Sequence, residues 1–100
     1  MLSSHFLLPL RVYYQDTDTG GVVYHASYLN FMERARYEWL RELGFNAKSM
    51  TEAHNIFFIF RSIQIDYVKP ALLDDLLNVT VTVKEVGRSR ITLFQEVLCS

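Results

Sequence analysis

Residues 27–44, SYLNFMERARYEWLRELG, carry the periodicity that decides the fold. Tyr28, Phe31, Met32, Ala35, Trp39 and Leu43 recur at intervals of three and four and form one apolar stripe on a helix. Glu33, Arg34, Glu38, Arg41 and Glu42 fall on the opposite face, with Arg34 and Glu38 spaced to pair one turn apart. Ser27 suits an N-cap and Gly44 a C-terminal stop. Upstream, Phe6, Leu8, Leu10, Val12 and Tyr14 alternate with other residues, which predicts a strand over 5–14. Pro9 places that strand near an edge or a start. Residues 15–26 between strand and helix form a polar loop containing Gly20 and Gly21. Downstream, residues 56–60 are apolar on both faces, and Ile63, Ile65 and Tyr67 then alternate with Ser62, Gln64 and Asp66. That pattern predicts one long strand, buried on both sides at first and half-exposed later. Pro70 ends it, and Asp74 and Asp75 mark a turn. Leu77, Val79, Val81 and Val83 alternate with Asn78, Thr80, Thr82 and Lys84 in the cleanest strand pattern of the chain. Gly87, Arg88 and Ser89 make a tight connection to a last strand over 91–98. One long helix backed by an antiparallel sheet is an α+β layer arrangement.

Length and composition bound the function. One hundred residues, half hydrophobic and about a fifth charged, describe one domain over 1–100, and no linker, repeat or charge block divides it. Fourteen aromatic residues supply material for a core or for a tunnel around an apolar ligand. A domain this short buries only about two-thirds of its unfolded surface, so self-association is a natural supplement. Ten basic and eleven acidic side chains give a net charge of −1, which argues against a broad nucleic-acid-binding face. Cys99 stands alone and cannot form an internal disulfide. The apolar stretch over 6–10 is too short for a membrane span and follows no basic leader. A reducing, soluble, cytoplasmic setting is the expectation.

The reactive residues gather in the loop QDTDTGGVVYH, residues 15–25. A carboxylate that leads directly into a helix N-terminus supplies a base or nucleophile next to free backbone N–H groups. Acyl transfer needs that pair, and the glycines let a substrate carbonyl approach the backbone. Asp16, Asp18 and His25 make a poor metal site, with no second histidine close by. Asp18, His25 and Ser27 share a stretch, which does not establish a triad. Asp74 and Asp75 read as turn residues, and His5 and His54 as surface or loop histidines. Arg88 and Arg90 flank Ser89 in a compact basic patch, readable as solvated charge or as a phosphate-binding turn.

The run RVYYQDTDTGGVVYHASYLNFMERARYEWLRELGF, residues 11–45, followed by IDYVKPALLDDLLNV, residues 65–79, resembles hotdog-fold thioesterases of the 4-hydroxybenzoyl-CoA thioesterase group. Within that group the chain resembles the YbgC-like acyl-CoA thioesterases associated with the bacterial Tol-Pal operon, and the resemblance covers the chain from about Leu10 onward. It implies a long helix wrapped by a curved antiparallel sheet, assembly as a dimer or a tetramer, and an active site at the subunit interface. It also implies a further strand beyond Ser100, because members of the group run longer.

Carried onto this chain, the catalytic carboxylate falls on Asp18, with Asp16 supporting the loop. The oxyanion donor falls on a backbone N–H at His25, with Tyr24 beside it supplying shape or a hydrogen bond. Gly21 lies where substrate approaches the backbone. The CoA phosphates point to Arg88, Ser89 and Arg90, with Lys69 as a further contact. The activity implied is hydrolysis of an acyl-CoA to free acid and CoA, with no cofactor and no metal. Asp18 would act either as a general base on water or as a nucleophile. Two alternatives belong to other classes. One is a non-catalytic module that binds acyl-CoA or acyl carrier protein. The other is a structural partner in an envelope or lipid-synthesis complex.

Overall fold

The computed structural model describes residues 5–46, 48, 52 and 62–100. The elements run β1 (His5–Arg11), α1 (Ser27–Glu42), β2 (Leu76–Val86), β3 (Ile91–Phe94) and β4 (Val97–Cys99). β2 is the central strand, with β1 antiparallel on one side and β3 and β4 antiparallel on the other. The expected α+β layering is therefore what forms, and Pro9 sits in β1, the edge strand among the described residues.

Register explains the core. Phe6 pairs with Val81, Leu8 with Val79 and Leu10 with Leu77, so the apolar sets of β1 and β2 share one face. The α1 stripe closes over that face with Tyr28, Phe31, Ala35 and Trp39 all buried. Phe31, Leu77, Val79 and Val81 are almost wholly excluded from solvent. Each contributes about 1.5–3 kcal/mol relative to an exposed position. Met32 and Leu43 border the stripe and are half-buried. A register irregularity between Val83 and Glu85 bends the far end of the sheet.

The helix ends differ from one another. At the C-terminus Gly44, at φ +93°, donates its N–H to Arg41, and Phe45 donates to Leu40. Those two bonds make a Schellman motif, as a glycine in that place predicts. The N-terminus departs from expectation. Ser27 is the first helical residue rather than the cap, and Ala26 takes the cap position in a helical conformation with no side-chain hydrogen bond. The cause is the turn before it, where Ser27 N–H already donates to the Tyr24 carbonyl at 2.8 Å. The expected Arg34–Glu38 pair is also replaced, because Glu38 engages Arg41 at 3.3 Å instead.

Three strand expectations need correction. β1 stops at Arg11, and Tyr14, expected on the inner face, is 81% exposed. The Asp16 carboxylate takes the Tyr13 N–H and folds Tyr14–Asp16 into a 3₁₀ turn, which carries Tyr14 outward. The strand expected over 56–67 falls partly outside the described residues, namely at 56–61. Residues 62–68 join no ladder among the described residues; of the alternating set only Ile65 packs on the core, while Ile63 and Tyr67 stay exposed. Alternation marks a face to be covered and does not by itself supply a neighbouring strand. The last strand divides at Gln95 and Glu96. Buried Thr80 donates its N–H to Glu96 and accepts the Glu96 N–H on its hydroxyl at 2.9 Å, so a side chain replaces a ladder carbonyl there. The Gln95 side chain leaves the sheet to bridge Met32 and Arg36 on α1.

Candidate active site

The loop over 12–26 is a small hairpin held from inside by one carboxylate. Asp16, only 8% exposed, accepts the Tyr13 N–H on Oδ2 at 2.9 Å, and its carbonyl accepts the Tyr24 N–H at 2.9 Å. Thr17 bridges Val23, and the Asp18 N–H donates to the Val22 carbonyl. Gly21 closes the turn at φ +80°, a region that disfavours a Cβ, and donates its N–H to the Asp18 carbonyl. The hairpin is docked on the second motif by bonds from Val23 N–H to Ala71 and from Leu73 N–H to Gly21, and by the Val22–Leu72 bridge. Residues 15–25 and 65–79 thus form one structural unit. Asp74, at φ +69°, and Asp75, whose carboxylate accepts the Leu72 N–H, are the turn residues they were expected to be.

Asp18 is exposed at the tip of this hairpin. Its Oδ1 accepts the Gly20 N–H at 2.8 Å, and Oδ2 has no partner among the described residues. One oxygen thereby fixes the orientation of the carboxylate. Further along, Tyr24, His25 and Ala26 form the turn into α1. Among the described residues the N–H groups of His25 and Ala26 have no acceptor, and no side chain caps the helix. Two adjacent donors at a helix N-terminus favour an anion there. The Tyr24 and His25 rings lie against each other at 4.4 Å, tilted by 44°, and the Tyr67 hydroxyl donates to the His25 carbonyl at 3.0 Å. Tyr67 in turn packs its ring on Tyr28, whose buried hydroxyl accepts the Ala71 N–H. Beside the hairpin, Gln15, Asp16, Ser27, Asn30, Glu33 and Arg34 line an open polar cleft of about 400 Å³.

The structure brings Asp18, Gly21, Tyr24 and His25 together in one loop. It does not form a triad there: Asp18 binds Gly20, the His25 ring lies against Tyr24 and Tyr67, and Ser27 is buried. Lys69 lies at the same end of the molecule. The Cys99 thiol, opposite Leu77, is pushed up by desolvation and by Asp75, and the Lys69 ammonium opposes that shift. Arg88, Ser89 and Arg90 lie elsewhere. They are exposed on the turn over 87–90, beyond Val86, whereas the chain leaves β1 for the loop over 12–26 opposite Leu76. The length of β2 separates the two, roughly 30 Å at the usual rise per residue. Tyr67 and the supporting bonds of Asp16 were the features that spacing alone could not supply; the nearest signal was their place inside the two quoted runs.

The family model described as the thioesterase superfamily matches residues 20–100. The chain belongs to that family. Over 98 residues it is 48% identical to the acyl-CoA thioesterase YbgC of Haemophilus influenzae, spanning 98% of this chain and 72% of that protein. It is 40% identical, over the same shares, to the acyl-CoA thioester hydrolase YbgC of Escherichia coli. Among solved structures, a probable thioesterase from Bartonella henselae superposes with a TM-score of 0.90 at 37% identity, covering 94% of this chain and 78% of that one. The hotdog fold expected from the sequence is therefore the fold of this superfamily member.

Proposed function

We propose that the chain hydrolyses acyl-CoA thioesters to a free acid and CoA through the hairpin over 15–25. The observation that carries this reading is the pairing in one loop of an Asp18 carboxylate with N–H groups at the start of α1, where Oδ2 and those N–H groups have no partner among the described residues. As a general base, Asp18 takes a proton from water as the water oxygen attacks the thioester carbonyl carbon. As a nucleophile, it attacks that carbon itself and forms an anhydride, which water then opens. In both routes the carbonyl oxygen becomes an oxyanion facing the His25 N–H, where backbone donors stabilise it without reorganising. The tetrahedral intermediate collapses by expelling CoA thiolate, whose pKa near that of free cysteine, about 8.5, removes the need for a strong acid. Tyr24 shapes the wall beside the donor, and Gly21 leaves room for the approaching acyl group, since a Cβ there would project into open space.

Arg88, Ser89 and Arg90 are read as contacts for the CoA phosphates, with Lys69 nearer the loop. The length of β2 between Asp18 and the arginine turn means that one ligand meets both only across two copies of the chain. Exposed apolar side chains on the described surface, among them Leu7, Tyr37, Val68, Val86 and Phe94, support a homo-oligomer, a dimer or a tetramer. No helix among the described residues is long and apolar enough to cross a membrane. A cytoplasmic setting suits a CoA substrate, and acyl carrier protein is a second acyl donor of the same thioester chemistry.

The test is Asp18→Asn, which keeps size and the bond from Gly20 but removes the basic oxygen. kcat should fall by about a hundredfold to ten-thousandfold while KM changes little. Asp16→Asn should act mainly on melting temperature, because Asp16 holds backbone. Turnover by Asp18→Asn near the wild-type rate defeats the assignment.

A further inference from the structure

Tyr67 lies in a segment that joins no strand and is half-exposed, yet its hydroxyl is committed to one backbone carbonyl of the turn ahead of α1. A trans peptide is planar, and its C=O and N–H point to opposite sides. Fixing a carbonyl therefore aims the N–H of the next residue. The Tyr24 carbonyl is fixed by the Ser27 N–H at 2.8 Å, which aims the His25 N–H. The His25 carbonyl is fixed by the Tyr67 hydroxyl at 3.0 Å, which aims the Ala26 N–H. Neither N–H has an acceptor among the described residues. The first bond is local and belongs to the helix entry. The second comes from forty-two residues away, and its donor is steadied by ring contacts with Tyr28 at 5.6 Å and His25 at 6.3 Å.

We infer that Tyr67 is a positioning residue, which holds the His25–Ala26 peptide so that the Ala26 N–H stands beside the His25 N–H as a second oxyanion donor. The inference rests on the oxyanion role proposed above for this turn. A hydrogen bond on the carbonyl also polarises the peptide and makes its N–H a stronger donor. Donation to an oxyanion matters more in the transition state than in the bound substrate, so the benefit falls on kcat.

Tyr67→Phe removes the hydroxyl and keeps the ring. kcat with an acyl-CoA should fall about tenfold, less than for outright loss of a donor, with KM within about twofold. The pH profile should keep its shape, because the hydroxyl exchanges no proton with substrate. Independently of turnover, the backbone amide resonance of Ala26 should move in ¹H–¹⁵N spectra, while those of residues 16–22 stay in place. An unchanged kcat overturns the inference, as does a drop in kcat with an unmoved Ala26 amide. If the wild type itself turns over no acyl-CoA, the thioesterase reading fails, and the amide spectrum alone then decides whether Tyr67 orients the peptide.

Discussion

Adding one methyl group at either of two neighbouring glycines should separate stability from catalysis in the loop. At Gly20 a Cβ would lie 3.3 Å from Asp18 Oδ1, and the backbone there does not have the positive φ that strains a side chain. Gly20→Ala therefore costs no backbone strain; fewer unfolded conformations should even offset any crowding by about 0.4–1 kcal/mol. The contact is tight by a few tenths of an ångström. The carboxylate is the mobile partner, so Asp18 gives way and its bond from the Gly20 N–H tilts. Misplacement by about 1 Å can cost a hundredfold, so a shift of this size should lower kcat by roughly threefold to tenfold. Gly21→Ala is the converse. Its Cβ meets nothing, but φ is +80°, and an L side chain there costs about 1–2 kcal/mol. For a domain of this size that lowers the melting temperature by roughly 4–8 °C per kcal/mol, and any kinetic effect should fall on KM. The assay is thiol release at saturating acyl-CoA, normalised to folded protein, beside thermal melts of both variants. Loss of stability in Gly20→Ala with kcat intact would refute the claim that its neighbour's carboxylate does the chemistry.

Tyr28→Phe leaves the Ala71 N–H without its buried acceptor, so stability should fall by about 1–3 kcal/mol in denaturant melts. Replacing both Arg88 and Arg90 with alanine should raise KM for acyl-CoA by roughly tenfold or more, the effect of losing charge-assisted contacts of about 1.5–3 kcal/mol, with kcat less affected.

The helix and the central strand were legible in the sequence because burial dictates their periods. Phe31, Ala35 and Trp39 had one face to fill, as did Leu77, Val79 and Val81. Features set by single polar bonds were not legible. The end of β1 depends on where the Asp16 carboxylate turns, and the break in the last strand on the Thr80 hydroxyl. No period records either. The helix entry was misread for a related reason: Ser27 is a favourable cap by residue type, but the Tyr24 carbonyl claims its N–H and starts the helix a residue early. Within the site, Asp18 was named through the resemblance, whereas its physical role needs the orientation of two oxygens. Tyr67 lies in a segment whose alternation reads as strand, and only its contact with His25 gives it another meaning.

The distance between Asp18 and the arginine turn makes a statement about assembly that mixing can test. If each site takes its carboxylate from one copy and its phosphate contacts from another, an Asp18→Asn chain and an Arg88→Ala/Arg90→Ala chain are complementary. In a symmetric dimer of one copy of each, one site carries both defects and the other carries neither. Equal mixing with free exchange makes about half the dimers mixed, so about a quarter of the wild-type sites return, with the wild-type KM. Separate preparations should show only the low kcat of the first variant and the raised KM of the second. If Asp18 and the arginines served the same site from one chain, every site would keep one defect, and mixing would give the average of the two preparations. Light scattering before and after mixing fixes the species that exchanges. An average rate from a confirmed mixed oligomer would refute the site shared between copies and place Asp18 and the arginines in one site of one chain; an unchanged KM in the arginine variant alone would return Arg88 and Arg90 to solvated charges.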